Sequence, residues 1–198
     1  LQAAKDRSVM VLNTPGANVN AVAELIVGLI LNSARNISQA DARCRQDAFT
    51  TIAPVSMKGI ELTGKVLGLI GLGHIAQRVA ELLLEAFHVK AICFDPYVSP
   101  ALAETMRITA YPSVKEVVSR ADIVNVSVPL TEQTRNLIAG DVFDCFRPQA
   151  ILINAARGGI VNEEDLYNAL RSGKLRAAAC DVFVREPPTS QNKLLALD

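Results

Sequence analysis

Twelve residues, Lys65-Val-Leu-Gly-Leu-Ile-Gly-Leu-Gly-His-Ile-Ala76, with Asp95 nineteen positions further on, constrain this chain more than any other feature. The apolar run Val66 to Ile70 reads as a buried strand, and Gly71-Leu-Gly-His-Ile-Ala76 turns it into a helix. Gly71 permits a tight turn, Gly73 lets the backbone approach a pyrophosphate, and Ala76 is small enough for the helix to pack closely on the strand. The first amides of that helix, and the positive end of its dipole, then face the phosphates. A second apolar run, Val89 to Phe94, ends in Asp95. A carboxylate there can accept hydrogen bonds from both ribose hydroxyls of NAD and would repel the 2′-phosphate of NADP. The glycine pattern alone is common. Its place after a strand, before a helix and ahead of an acid-terminated strand makes it a dinucleotide fingerprint.

From Lys65 onward, strand-like and helix-like runs alternate, which predicts an α/β, Rossmann-type doubly wound parallel sheet with helices on both faces. A short third strand is expected near Ile108–Tyr111, a fourth over Ile123–Val128, a fifth over Ala150–Asn154 and a sixth over Arg176–Val182. Ser113-Val-Lys-Glu116 has the pattern of a capping box. The helix between the last two strands begins near Asn162 and stops at Gly173. Ahead of this region, residues 1–50 hold a crossover and a long helical segment from about Asn20 to Gln46. Its apolar face carries Val22, Leu25, Ile26, Leu29, Ile30 and Ala34. Thr50 to Lys58 has turn chemistry and reads as a loop. Ligands bind such sheets at the carboxyl ends of the strands, which predicts that Gly71, Asp95, Pro129, Ala155 to Gly159 and Asp181 share one site.

The 198 residues suffice for one domain with a sizeable core, and half of them are hydrophobic. Twenty basic and twenty acidic side chains cancel, so no charge surplus favours nucleic acid or a membrane surface. The longest apolar run, Leu25 to Leu31, is too short to span a bilayer. Four scattered cysteines without a C-x-x-C pair, and only two histidines, give metal binding nothing to work with. Cys93 and Cys180 fall in strand-like runs as small buried hydrophobes. A reducing, cytoplasmic compartment is the simplest fit, and no signal peptide is visible.

Several blocks along the chain resemble the NAD-binding domain of the D-isomer-specific 2-hydroxyacid dehydrogenases, of the phosphoglycerate dehydrogenase type. They are Asn13-Thr-Pro-Gly16 with Ala21-Val-Ala-Glu24, Gly59 to Lys65 with the glycine loop, and Val128-Pro-Leu-Thr131 with Thr134 and Leu137-Ile138. Ile153 to Asn162, Asp181-Val-Phe183 and Glu186-Pro-Pro188 complete the set. The likeness covers essentially the whole chain. It implies a parent enzyme that interconverts a D-2-hydroxy acid and its 2-keto acid, of phosphoglycerate, glyoxylate/hydroxypyruvate or D-lactate type. It also implies the cofactor NAD and pairing into a homodimer, for which the apolar face of the first helix is a candidate; the competing reading packs that face on the chain's own sheet or on an absent domain.

The resemblance assigns roles residue by residue. Arg157 would grip the substrate's carboxylate and keto oxygen, and Glu186 would pair with the catalytic histidine and raise its pKa. Asp181 would bind the nicotinamide carboxamide. His74 and Ile75 would lie against the pyrophosphate with Gly71 and Gly73, and Asp95 would hold the adenosine ribose. Val128 and Pro129 belong to the cofactor set, and Ala155 and Ala156 would line the nicotinamide side. The chemistry agrees: a planar, permanently charged guanidinium reaches two oxygens at once, and a histidine paired to a carboxylate donates a proton near neutrality. His74, Ala76 and Asn162 depart from the arginine, glycine and acid common at these places.

In the family the catalytic histidine follows the Glu-Pro block. Here the only histidines are His74, in the phosphate turn, and His88, expected at the sheet edge away from the crevice. The expectation is an NAD-binding domain spanning 1–198, without the substrate domain and the C-terminal end, that binds cofactor but is inactive alone. Corepressors of the C-terminal-binding-protein type share the fold and the Asp95-Pro-Tyr97 signature, so a non-catalytic NAD sensor is the alternative reading. The Tyr-x-x-x-Lys pair of short-chain dehydrogenases is matched in letters by Tyr111 and Lys115, but Pro112 and the cap at Ser113 keep Tyr111 off the helix. The residues that choose the 2-hydroxy acid lie mainly outside this chain.

Overall fold

A computed structural model describes residues 2–49, 51 and 57–197. A short helix α1 (Gln2–Lys5) precedes α2 (Val19–Arg35) and α3 (Ile37–Arg45). The alternating region then runs β1 (Val66–Ile70), α4 (His74–Phe87), β2 (Lys90–Phe94), α5 (Pro100–Thr105), β3 (Ile108–Ala110) and α6 (Val114–Val118). It continues through β4 (Ile123–Val126), α7 (Asp141–Cys145), β5 (Ala150–Asn154), α8 (Glu163–Arg171) and β6 (Leu175–Cys180) to a 3-10 turn at Lys193–Ala196. The strands form one parallel sheet in the order β3-β2-β1-β4-β5-β6. Chain direction across the sheet reverses between β1 and β4, which opens a crevice at their carboxyl ends.

Strand residues alternate between two cores because successive side chains point to opposite faces. Leu67, Leu69, Ile123, Ile151 and Ile153 pack with Ile26, Ile30, Val79 and Leu83 under α2 and α4. Ile70, Val124, Val126 and Leu152 pack with Val117, Phe143, Phe146 and Leu166 under α6, α7 and α8. Covering both faces explains why β1, β4 and β5 are nearly continuous apolar runs.

The single segment expected over Asn20–Gln46 is two helices. Asn36 takes a left-handed conformation (φ 55°, ψ 39°), its amide closes α2 on the Asn32 carbonyl, and α3 leaves at 60°. Asparagine tolerates that conformation better than most residues, and the apolar periodicity ends there: α3 buries no side chain. The face of α2 faces inward for the most part. Ala23, Ile26, Ile30 and Ala34 are buried in the chain's own core, while Val22 and Leu29 are half-buried and Leu25 is exposed. No single helix among the described residues is long and apolar enough to cross a membrane.

Strand ends differ by one or two residues. Tyr111, Val128 and Val182 lie beyond β3, β4 and β6, and Val89 precedes β2 while remaining buried. The Ser113 cap forms, with Oγ accepting the Glu116 amide at 3.3 Å. The reciprocal half of the box does not, since the Glu116 carboxylate turns toward the Ser113 hydroxyl instead. Asn162 caps α8 through Oδ1 and the Asp165 amide at 3.0 Å. Cys93 is fully buried as expected, whereas Cys180, at the end of the sheet's edge strand, is only half-buried. Most of the loop expected over Thr50–Lys58 lies outside the described residues.

Candidate active site

The crevice begins where β1 ends. Gly71 has φ +91°, a region that L side chains rarely adopt, and a Cβ on it would stand 2.6 Å from the Ser127 carbonyl oxygen. The chain must therefore carry glycine here to turn from β1 into α4 beside the end of β4, and its amide bonds the Phe94 carbonyl at 2.8 Å. Gly73 differs. It starts α4 in an ordinary extended conformation, and a Cβ on it would meet nothing within 4 Å. No side chain caps α4, so its first amides keep no intrahelical partner and the positive end of its dipole is open to a ligand.

A cavity of about 700 Å³ lies against that helix start. Gly73, His74, Ile75 and Ala76 form one wall, Ser127 to Leu130 a second, and Ala155 to Arg157 a third. The start of α2 supplies the fourth, with Gly16, Asn18, Val19, Val22 and Ile26. The structure thus brings together Gly73, His74, Ile75, Val128, Pro129, Ala155, Ala156 and Arg157 of the expected set. Gly71 sits beneath them as the hinge of the turn. Ser127 and the α2 residues were not expected. The only sequence signal for α2 was its apolar face, of which Val22 and Ile26 reach the cavity.

Asp95, Asp181 and Glu186 are not among the residues lining this cavity. Asp95 lies at the next strand end and is tied down: Oδ2 accepts the Leu72 amide and Oδ1 the Tyr97 amide, both at 2.8 Å. Two of its lone-pair positions remain for further donors. The carboxylate is thus locked to the glycine turn that it serves. Asp181 leaves the end of β6 with its amide on the Asn154 carbonyl at 3.0 Å. Its side chain is exposed, as is that of Glu186, whose Oε1 accepts the Phe183 amide at 3.0 Å.

Arg157 is carried by a turn that Asn154 shapes. The buried Asn154 amide donates to the Arg157 carbonyl at 3.3 Å and accepts the Ala156 amide at 3.2 Å. The guanidinium is exposed, with one bond to the Ala156 carbonyl at 2.6 Å and no acid partner among the described residues. One residue on, a Cβ at Gly158 would overlap the Phe183 carbonyl, so the Arg157 turn and the Asp181–Glu186 segment touch backbone to backbone. Both residues fall in the block Ile153 to Asn162 and Gly158 in the expected strand-end set, but the sequence assigns neither of them these contacts. An asparagine at a strand end and a glycine in a loop carry no visible mark of what they touch.

Of the two histidines, His74 opens α4 in the cavity wall, and His88 (φ 51°) ends the same helix at the opposite edge of the sheet, as expected. Burial, and then the neighbouring charge of Glu163, push the Cys180 thiol up to about 11. No group of side chains among the described residues could hold a metal ion. The open space over Gly73, the uncapped helix and the fixed Asp95 carboxylate fit a dinucleotide.

Comparison with known proteins agrees with this geometry. Residues 27–198 match the family model described as the NAD binding domain of D-isomer specific 2-hydroxyacid dehydrogenase. The chain is 43% identical over 198 residues to a D-3-phosphoglycerate dehydrogenase of Methanocaldococcus jannaschii, covering all of this chain and 37% of that protein. It is 42% identical over 200 residues to a hydroxypyruvate reductase of Thermotoga maritima, again covering all of this chain and 63% of the relative. Among solved structures, the TT0316 protein from Thermus thermophilus superposes with a TM-score of 0.90 at 34% identity, over 99% of this chain and 60% of that one. The chain thus spans between about a third and two thirds of the length of these proteins.

Proposed function

The chain belongs to the D-isomer specific 2-hydroxyacid dehydrogenase family as its NAD-binding domain, and from that membership we propose that it holds NAD(H), in preference to NADP(H), for the interconversion of a D-2-hydroxy acid and its 2-keto acid. The phosphoglycerate, glyoxylate/hydroxypyruvate and D-lactate types all remain within this reading. The observation that carries it is the uncapped start of α4 beneath an open Gly73, with Asp95 fixed one strand away.

In this reading the first amides of α4 hold the pyrophosphate and the free lone pairs of Asp95 accept the ribose hydroxyls. His74 and Ile75 flank the phosphates, while Val128, Pro129, Ala155 and Ala156 exclude water from the nicotinamide half of the cavity. Asp181 meets the carboxamide. Bound NAD would supply the hydride acceptor, and its reduced form the donor. Arg157 fixes a keto acid through a planar pair of donors, a geometry left available because no acid among the described residues pairs with it. Glu186 orients the proton-donating histidine of the parent enzyme. Neither His74 nor His88 serves as that donor. A homodimer in a reducing cytoplasm, consistent with four unpaired thiols, belongs to the same proposal.

Isothermal calorimetry of the folded chain with NAD and with NADP tests the reading. Heat for NAD, with weaker binding of NADP, supports it, and the absence of heat for both overturns it. Sedimentation that finds a monomer at high concentration removes the homodimer.

A further inference from the structure

The first turn of α8 holds three acids, Glu163, Glu164 and Asp165, which by position alone would only complement the helix dipole. The helix already has its cap in Asn162. Each acid instead reaches another segment: Asp165 takes the Gly140 amide, Glu164 the Lys193 ammonium, and Glu163 two donors from the stretch that follows β6. Glu163 Oε1 accepts the Val184 amide at 2.6 Å and Oε2 the Asn192 Nδ2 at 2.8 Å. The two donors lie eight residues apart and bracket Arg185, Glu186 and the following prolines. On the other side of Val184, Phe183 is pinned between the Glu186 carboxylate and the backbone of Gly158, beside Arg157.

We infer that Glu163 is a positioning residue: its half-buried carboxylate, bonded to Val184 and Asn192, sets the segment that presents Asp181 and Glu186 next to the Arg157 turn. The proximity of this charge to Cys180, the residue before Asp181, places it at the root of that segment. The inference rests on the reading that Asp181 meets the nicotinamide carboxamide. Hydrogen bonds to a charged acceptor are the strong ones, and this acceptor holds both ends of an otherwise exposed stretch. Without it, the segment keeps its contact at Gly158 but loses its register against α8.

ADP-ribose, which has the adenosine and both phosphates but no nicotinamide, separates this role from general stability. Calorimetry is carried out with NAD and with ADP-ribose on the wild-type chain, Glu163→Ala, Glu163→Gln and Asn192→Ala. The wild type should prefer NAD by about tenfold or more, the worth of one hydrogen bond to a charged group. In Glu163→Ala this preference should fall to about onefold to twofold, while ADP-ribose binding holds within about twofold. Glu163→Gln should recover part of the preference, because its amide oxygen still accepts the Val184 amide. Should Glu163→Ala not fold, Asn192→Ala removes the outer anchor and should lower the preference in the same direction. A wild-type preference that survives in the variants overturns the inference alone, and so does an equal weakening of both ligands. A wild type that binds neither ligand, or binds both alike, overturns the reading of the site and the inference with it.

Discussion

The two glycines of the β1–α4 turn should respond to the same substitution in opposite ways. Gly73→Ala places a methyl group where nothing stands within 4 Å, at an extended backbone that alanine adopts freely. Its stability cost should be near zero, because alanine's smaller unfolded-state entropy, about 0.4–1 kcal/mol, offsets the poorer N-cap. The methyl enters the space in front of the first α4 amides. It should remove one of their charge-assisted bonds to a diphosphate, about 1.5–3 kcal/mol, and so weaken NAD by roughly 10- to 100-fold. Gly71→Ala forces alanine to φ +91° and drives its Cβ to 2.6 Å from the Ser127 carbonyl. Strain and overpacking there cost about 1–3 kcal/mol each, which for a chain of this size lowers Tm by on the order of 10 °C. Thermal denaturation and calorimetry on both variants check the contrast. An unaltered NAD affinity in a folded Gly73→Ala protein would refute the assignment of this helix start to the phosphates.

Asp95→Asn removes the charge and leaves a single acceptor oxygen, so one of the Leu72 and Tyr97 amides loses its partner; NAD should weaken while NADP gains relative to it, read by paired titrations, and equal losses would count against the role of Asp95. Asn162→Ala leaves α8 uncapped and should cost about 1 kcal/mol, a fall in Tm of about 2–4 °C by calorimetric scanning. Burial, aided by the charge of Asp95, pushes the Cys93 thiol up to about 11, as burial and Glu163 do for Cys180. At about pH 8 a thiol reagent should thus label exposed Cys44 first and these two slowly. Because folding raises both pKa values above 9.0, their contribution to stability is complete below pH 9 and is lost as the pH rises toward 11; a melting temperature unchanged across that window would contradict it.

Much of this architecture is visible in the residues themselves. Ala150–Asn154 can be read to the residue, because a strand buried on both faces between two turns leaves no other pattern. The crevice is similarly legible, since Gly71 takes a backbone angle that L side chains rarely adopt and Gly73 leaves open space at the start of α4. Chain breaks that depend on one backbone angle are harder to see, and Asn36 divides a helix that the surrounding apolar spacing carries through. The helices Pro100–Thr105 and Asp141–Cys145 are too short for periodicity to show, although Ser99 followed by Pro100 is a sound start signal. Long-range roles are the least legible. Asn154 tying the Arg157 turn, and Glu163 gripping a segment some twenty residues away, follow from the path of the chain in space.

The crossed strand order sets when the molecule can first work. The walls around Gly73 come from the start of α2, the first βα turn, the end of β4 and the end of β5, so a nascent chain leaving the ribosome has no complete cleft until Arg157 has emerged. Until then the exposed edges of β1 and β4 must wait for neighbours without the mass-action stabilisation that a ligand of the completed cleft would add.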